Sequence, residues 1–260
     1  VTNGAYVFGD TDLAARRLEM VCDLFEEPSR TFITAAAPVA PRVALDLGCG
    51  IGRTTRLVAE VTGAVRTIGL DRSDAYVDRA RAAAAPAVEF LTHDVTDVPF
   101  PAAPADLIYA RLLLAHLPAP AERLRAWASQ VAPGGRLLVD ENEYIDAADP
   151  VLARYEAMVT ELIAASGASI HAGPEIAEID LGAGWQRVFA RVERWAIAEA
   201  DAARMFAMNF ATWRHDAYVR AHSTATDVDD LAAGLDSVAA SGSRAPVWWG
   251  IRQLAYERSA

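Results

Sequence analysis

Cysteine is scarce in this chain, occurring twice in 260 residues, as Cys22 and Cys49. No zinc-type spacing is possible, and Cys49 lies in a glycine-rich loop where a disulfide would be awkward, so both are expected to be reduced thiols of a cytoplasmic protein. Positive charge is outnumbered, with 24 Lys and Arg against 35 Asp and Glu and a formal net charge of −11. A surface of that sign does not neutralise phosphates, which argues against nucleic acid or anionic membranes as general partners and leaves room only for a local basic patch. Long apolar runs are missing too. None approaches the roughly 20 residues of a membrane span, and the N-terminus lacks the basic-then-apolar order of an export signal. There is no internal repeat. Hydrophobic content of 53% is nevertheless ample for a core in one large or two small domains.

Apolar periodicity predicts a first helix over 10–37, with Leu13, Arg17, Leu18, Val21, Leu24 and Phe25 on one face. Strands and helices then alternate: strand 43–47, helix 52–62, strand 65–70, helix 73–85, strands 88–92 and 105–110, helix 120–131 and strand 136–140. Such alternation implies parallel strands with crossover helices, an α/β sandwich. Beyond residue 145 the pattern changes to helix 149–167, a long strand 185–197, helices 200–220 and 226–240, and a last strand 246–256.

The most informative segment is Val43, Ala44, Leu45, Asp46, Leu47, Gly48, Cys49, Gly50, Ile51, Gly52, a buried strand ending in a glycine turn that opens a helix. Glycines allow a sharp turn and close approach of a ligand to the backbone. The glycine spacing differs from the Gly-x-Gly-x-x-Gly of pyrophosphate binders. Asp46 would repel a pyrophosphate and attract an ammonium, which disfavours a NAD-dependent oxidoreductase. The segment resembles the first motif of class I S-adenosylmethionine-dependent methyltransferases. Asp71 after the second strand, Asp94 after the third, and Pro133, Gly134, Gly135 before the fifth follow in the family's order, so the resemblance covers residues 43–140.

The resemblance implies a Rossmann-like seven-stranded sheet, mostly parallel with the last strand antiparallel. It implies S-adenosyl-L-methionine as cofactor, S-adenosyl-L-homocysteine as product, and a cofactor site of Asp46, Gly48, Gly50, Gly52, Asp71, Arg72, His93, Asp94, Val95, Ala110 and Arg111. Asp71 would accept the ribose hydroxyls, Asp94 the adenine amino group, and Arg72 would stack on adenine. The expected domain layout is a helical cap over 1–40 and a methyltransferase domain over 41–260, with helical lids near 149–172 and 200–245.

The acceptor is expected to be a small molecule of partly aromatic character, in a tailoring reaction of specialised metabolism on O, N or activated C, carried out by a monomer or homodimer. Tyr6, Tyr144, Phe206, Asn209, Trp213 and Trp248 are the expected acceptor contacts. His215, Glu141 and His116 are the candidate acid–base groups, and Glu141 alternatively anchors an amine or indole N–H. The family's DNA amino-methylating members often carry Asn/Asp-Pro-Pro-Tyr/Phe after strand four, where this chain has Tyr109, Ala110, Arg111 and Leu112. Protein methylation, or a methyltransferase fold that binds the cofactor without catalysis, are the alternative readings. No metal-binding constellation is expected.

Overall fold

The computed structural model describes residues 9–83 and 86–260. Seven strands form one sheet in the order β3-β2-β1-β4-β5-β7-β6. They are β1 Val43–Leu47, β2 Arg66–Asp71, β3 Val88–Thr92, β4 Ala105–Arg111, β5 Val131–Asp146, β6 Trp185–Ala198 and β7 Pro246–Arg258. The first five are parallel, and β7 runs antiparallel between β5 and β6. The central strands are near-continuous apolar runs because helices cover both faces; Leu45, Leu47, Ile68, Leu70, Ile108 and Ala110 are fully buried. Strand order reverses between β1 and β4, and open α/β sheets place ligands in the crevice at such a point, beyond the carboxyl ends of the strands.

The helices are α1 Asp12–Ala36, α2 Arg53–Thr62, α3 Asp74–Ala82, α4 Pro120–Ala128, α5 Pro150–Ala164, α6 Gly173–Ala177, α7 Glu199–Trp213, α8 Ala217–His222 and α9 Ala225–Ser241. Thr11 caps α1, whose buried stripe includes Ala14, Arg17, Val21, Phe25, Phe32 and Ile33. Gly52 opens α2 at φ 78°, and a Cβ there would lie 2.6 Å from the Phe90 ring, so this glycine serves the packing of helix on sheet.

Three expectations need correction. The helix expected over 200–220 is two helices, because Asp216 ends one segment and caps the next by accepting from the Tyr218 N–H. The short α6 and a 3-10 turn, Leu114–His116, escaped the periodicity, both being shorter than two turns of α-helix. The fifth strand, expected over 136–140, runs over Val131–Asp146 and continues through the acidic stretch, because β7 pairs with it from Arg136 to Asp146.

That extension buries the acids. Successive side chains of a strand face opposite sides. Asp140 faces α1, accepting from Ser29 Oγ (2.9 Å) and Tyr109 Oη (3.0 Å). Glu141 faces the 3-10 turn, accepting from the backbone N–H groups of Leu113 (2.8 Å), Leu114 (2.7 Å) and Ala115 (3.3 Å). Glu143 pairs with Arg252 across to β7. No described helix is long and apolar enough to cross a membrane.

Candidate active site

A cavity of about 870 Å³ opens at the carboxyl ends of β1, β2, β3 and β4. Gly48, Cys49 and Gly50 form its floor at one end, with Asp71, Arg72, Asp94 and Val95 around it. Gly48 has φ 66°, and a Cβ there would come within 2.8 Å of Leu113. Asp71 accepts from the Gly50 N–H and the Ser73 N–H, each at 2.9 Å, and so ties the glycine turn to the end of β2. Burial raises its pKa, against those two backbone donors. Asp94 is different. Burial works to raise it, but the Thr96 N–H and hydroxyl, with the charge of Arg72, bring it below the ordinary carboxylate value.

The other end is a chamber with apolar and aromatic walls. Helix α1 contributes Val21 and Phe25, α5 contributes Tyr155, Val159 and Ile163, α7 contributes Met205 and Phe206, and β7 contributes Trp249. Tyr155 stacks on Phe206 with ring centroids 4.2 Å apart, and Trp249 meets Phe25 edge-on at 5.5 Å. The Trp249 indole N–H donates to Asn142 Oδ1 at 2.9 Å. Between the two ends lie Arg111, whose guanidinium donates to Thr54 Oγ1 at 3.0 Å and Ser29 Oγ at 3.3 Å, and His116.

Of the expected cofactor residues, Gly48, Gly50, Asp71, Arg72, Asp94, Val95 and Arg111 line this cavity, whereas Asp46, Gly52, His93 and Ala110 do not. Asp46 is 1% exposed and accepts from Thr55 Oγ1 at 2.7 Å, so it stands behind the glycine turn. His93 turns outward to Asp97 O and the edge of Phe100. Ala110 is a buried strand residue.

Of the expected acceptor contacts, Phe206 and Asn209 line the chamber, and Tyr6 falls outside the described residues. Tyr144, Trp213 and Trp248 are not on its wall. Tyr144 packs over Gly250, Trp213 is buried against Tyr155 and Phe210, and Trp248 lies under Arg194 at 4.1 Å on the opposite face of β7 from Trp249.

The acid–base candidates fare no better. His215 is exposed, beside Arg214 and away from the cavity. Glu141 is committed to three backbone donors and does not reach the cavity. His116 reaches it, but burial, helped by Arg17 and Arg72, lowers its pKa to about 3. An imidazole with that value is a weak base near neutrality.

Tyr155, Val159 and Ile163 were not anticipated. Their i, i+4 spacing marks an apolar helix face, and that pattern is the same whether the face meets a packed core or a chamber.

Burial pushes Asp46 up to about 7, against the Thr55 hydrogen bond and the charge of Arg111. An unfolded aspartate titrates near 4. Between those values the folded protein keeps a proton that the unfolded chain has released. This contribution to stability is therefore full below about pH 4 and lost as pH rises through about 7. Melting temperatures of the wild type and Asp46→Asn across pH 4–8 are expected to converge at the acid end and separate toward neutrality, the asparagine variant holding its stability better. Parallel profiles would mean that Asp46 does not titrate in this window.

Residues 44–135 match the family described as methyltransferase domain. Over 105 residues the chain is 39% identical to a trans-aconitate 2-methyltransferase of Streptomyces avermitilis, covering 38% of this chain and 39% of that enzyme. The chain thus spans about two fifths of the length of the curated relatives it matches. The YcgJ protein of Bacillus subtilis shares the fold at a TM-score of 0.56 and 16% identity, over 90% of this chain and 99% of its own. A Haemonchus contortus phosphoethanolamine N-methyltransferase, solved with S-adenosylhomocysteine, matches at 0.55 and 15% identity, over 95% of this chain and 58% of its own. Residues 44–135 are thus similar to the methyltransferase domain family, and the strand order, the glycine turn and the acids at the ends of β2 and β3 support a class I S-adenosylmethionine-dependent methyltransferase.

Proposed function

We propose that this chain transfers the methyl group of S-adenosylmethionine to a small, largely apolar acceptor. The observation that carries the reading is the continuity of the cavity: the glycine turn with Asp71 and Asp94 occupies one end, and the aromatic chamber the other. Its volume of about 870 Å³ lies toward the upper part of the roughly 300–1,000 Å³ common for ligand pockets, room for a nucleoside and a second small molecule.

The residues fit the cofactor by their chemistry. Two carboxylates suit ribose hydroxyls and an adenine amino group, Val95 offers an apolar wall to a base, and the glycine turn keeps side chains out of the floor. Bound there, the cofactor supplies a methyl group that is already electrophilic. The protein's part is then to orient the acceptor and exclude water. In this reading α5, with the loop after it, and α7 act as lids. Their aromatic walls support an acceptor with a flat ring, in specialised metabolism.

Among the described residues, neither His116, lowered to about 3, nor Tyr155, raised by burial, is suited to take a proton near neutral pH. This favours an acceptor that needs no base, a neutral amine or an activated ring carbon, over a phenol. It also keeps a second reading in play, cofactor binding without catalysis. Incubation of the purified chain with methyl-labelled S-adenosylmethionine and a panel of amines, indoles, phenols and carboxylates is expected to put label into a small amine or indole product. Cofactor binding with no labelled product from any member of the panel would support the non-catalytic reading.

A further inference from the structure

Strand β6 closes one edge of the sheet and pairs on one side only, with β7. It is 14 residues long, longer than most strands, and contains neither proline nor lysine. Among the described residues, the backbone groups of Gln186 to Ile197 that point away from β7 have no hydrogen-bond partner. Such an open row is a template for another strand, and natural sheets usually shield it with proline, lysine, a bulge or a covering element. Here the register on β7 shifts only near the start, between Arg187 and Phe189. Helix α1 packs on one face of β6, where Phe32 meets Phe189 and Phe25 meets Trp195. On the other face Val188, Ala190 and Ala196 are exposed.

The charges along the strand select its partner. In an antiparallel pair about a two-fold axis, residues equally far before and after the axis face one another. An axis on Val192 sets Arg191 of each copy opposite Glu193 of the other. It also sets Phe189 opposite Trp195, Val188 opposite Ala196, and Val192 opposite itself. Arg191 and Glu193 already pair along their own strand at 3.1 Å, so the charges around the axis alternate in sign. An axis on Arg191 or on Glu193 instead brings like charges face to face, which destabilises a strand pair. We infer that β6 pairs antiparallel with β6 of a second copy of this chain, about a two-fold axis at Val192, so that the two sheets continue into one. The inference does not depend on the reading of the cavity.

Sedimentation velocity of the wild type at micromolar concentration is expected to show a species of twice the chain mass. Glu193→Arg and Arg191→Glu each set like charges opposite one another beside the axis, and each is expected to weaken the dimer about tenfold or more. An equimolar mixture of the two variants restores both opposite-charge pairs and is expected to form a heterodimer near the wild-type affinity. A variant that had failed to fold would not be recovered by mixing. Val192→Cys is expected to give a disulfide-linked dimer on mild oxidation, while the wild type, whose two cysteines are buried, stays unlinked. A monomeric wild type overturns the inference. So does a dimer equally tight in both single variants, a mixture no tighter than its components, or a Val192→Cys dimer that oxidation leaves unlinked.

Discussion

Asp71→Ala is expected to weaken binding of S-adenosylhomocysteine by about 10- to 150-fold, on the order of 1.5–3 kcal/mol. Two losses combine. The variant removes a carboxylate that lines the cavity at the end of β2, where a ribose would find its charge-assisted acceptor. It also removes the acceptor of the Gly50 N–H at 2.9 Å and of the Ser73 N–H at 2.9 Å, so the glycine turn loses its tie to the neighbouring strand. Asp71→Asn separates the two, since its amide oxygen can still serve one of those N–H groups while the charge is gone. Its affinity is expected to fall between the wild type and the alanine variant. Calorimetric titration measures all three, and an unchanged dissociation constant in Asp71→Ala would remove Asp71 from the cofactor site.

The largest effect on stability is expected at Glu141. Glu141→Leu should lower unfolding free energy by about 3–5 kcal/mol, read as a shift of the urea midpoint at constant slope. The side chain is fully buried and accepts from three consecutive backbone N–H groups of the 3-10 turn. Leucine leaves those donors unsatisfied at a place water does not reach, beside cavity residues Leu113, Ala115 and His116. Burial pushes the Glu141 pKa up to about 8, against the pull of the three donors. Glu141→Gln keeps one acceptor oxygen and loses part of this arrangement, so a cost of about 1–2 kcal/mol is expected. A wild-type midpoint in Glu141→Leu would contradict the account.

The strand–turn–helix of residues 43–62 and the parallel order that follows were legible because local rules and long-range pairing agree there. The apolar run is short, the glycines fall at positive φ, and the helix starts at once. The acids of β5 misled for the opposite reason. Asp140, Glu141, Asn142 and Glu143 read as a polar, acidic strand end at the edge of the site, and only their partners on α1, the 3-10 turn and β7, distant in sequence, explain where they point. The tryptophan pair shows the same limit at the scale of one residue. Alternation says that Trp248 and Trp249 face opposite sides, but the choice of side follows from pairing with β5, whose register shifts between Asn142 and Tyr144.

The helices α7, α8 and α9 leave the sheet after Ala198 and return to it at Pro246, two residues that are directly paired between β6 and β7. Both stems of the insertion are therefore held a strand's width apart by the sheet itself, whatever lies between them. A segment mounted in this way behaves as a cassette. Lengthening it changes closure entropy only slowly, provided the face that packs against β7, α1 and α5 is kept. If the proposed acceptor chamber is correct, grafting residues 199–245 onto a relative with the same strand pair is expected to exchange acceptor preference while leaving binding of S-adenosylhomocysteine as it stands.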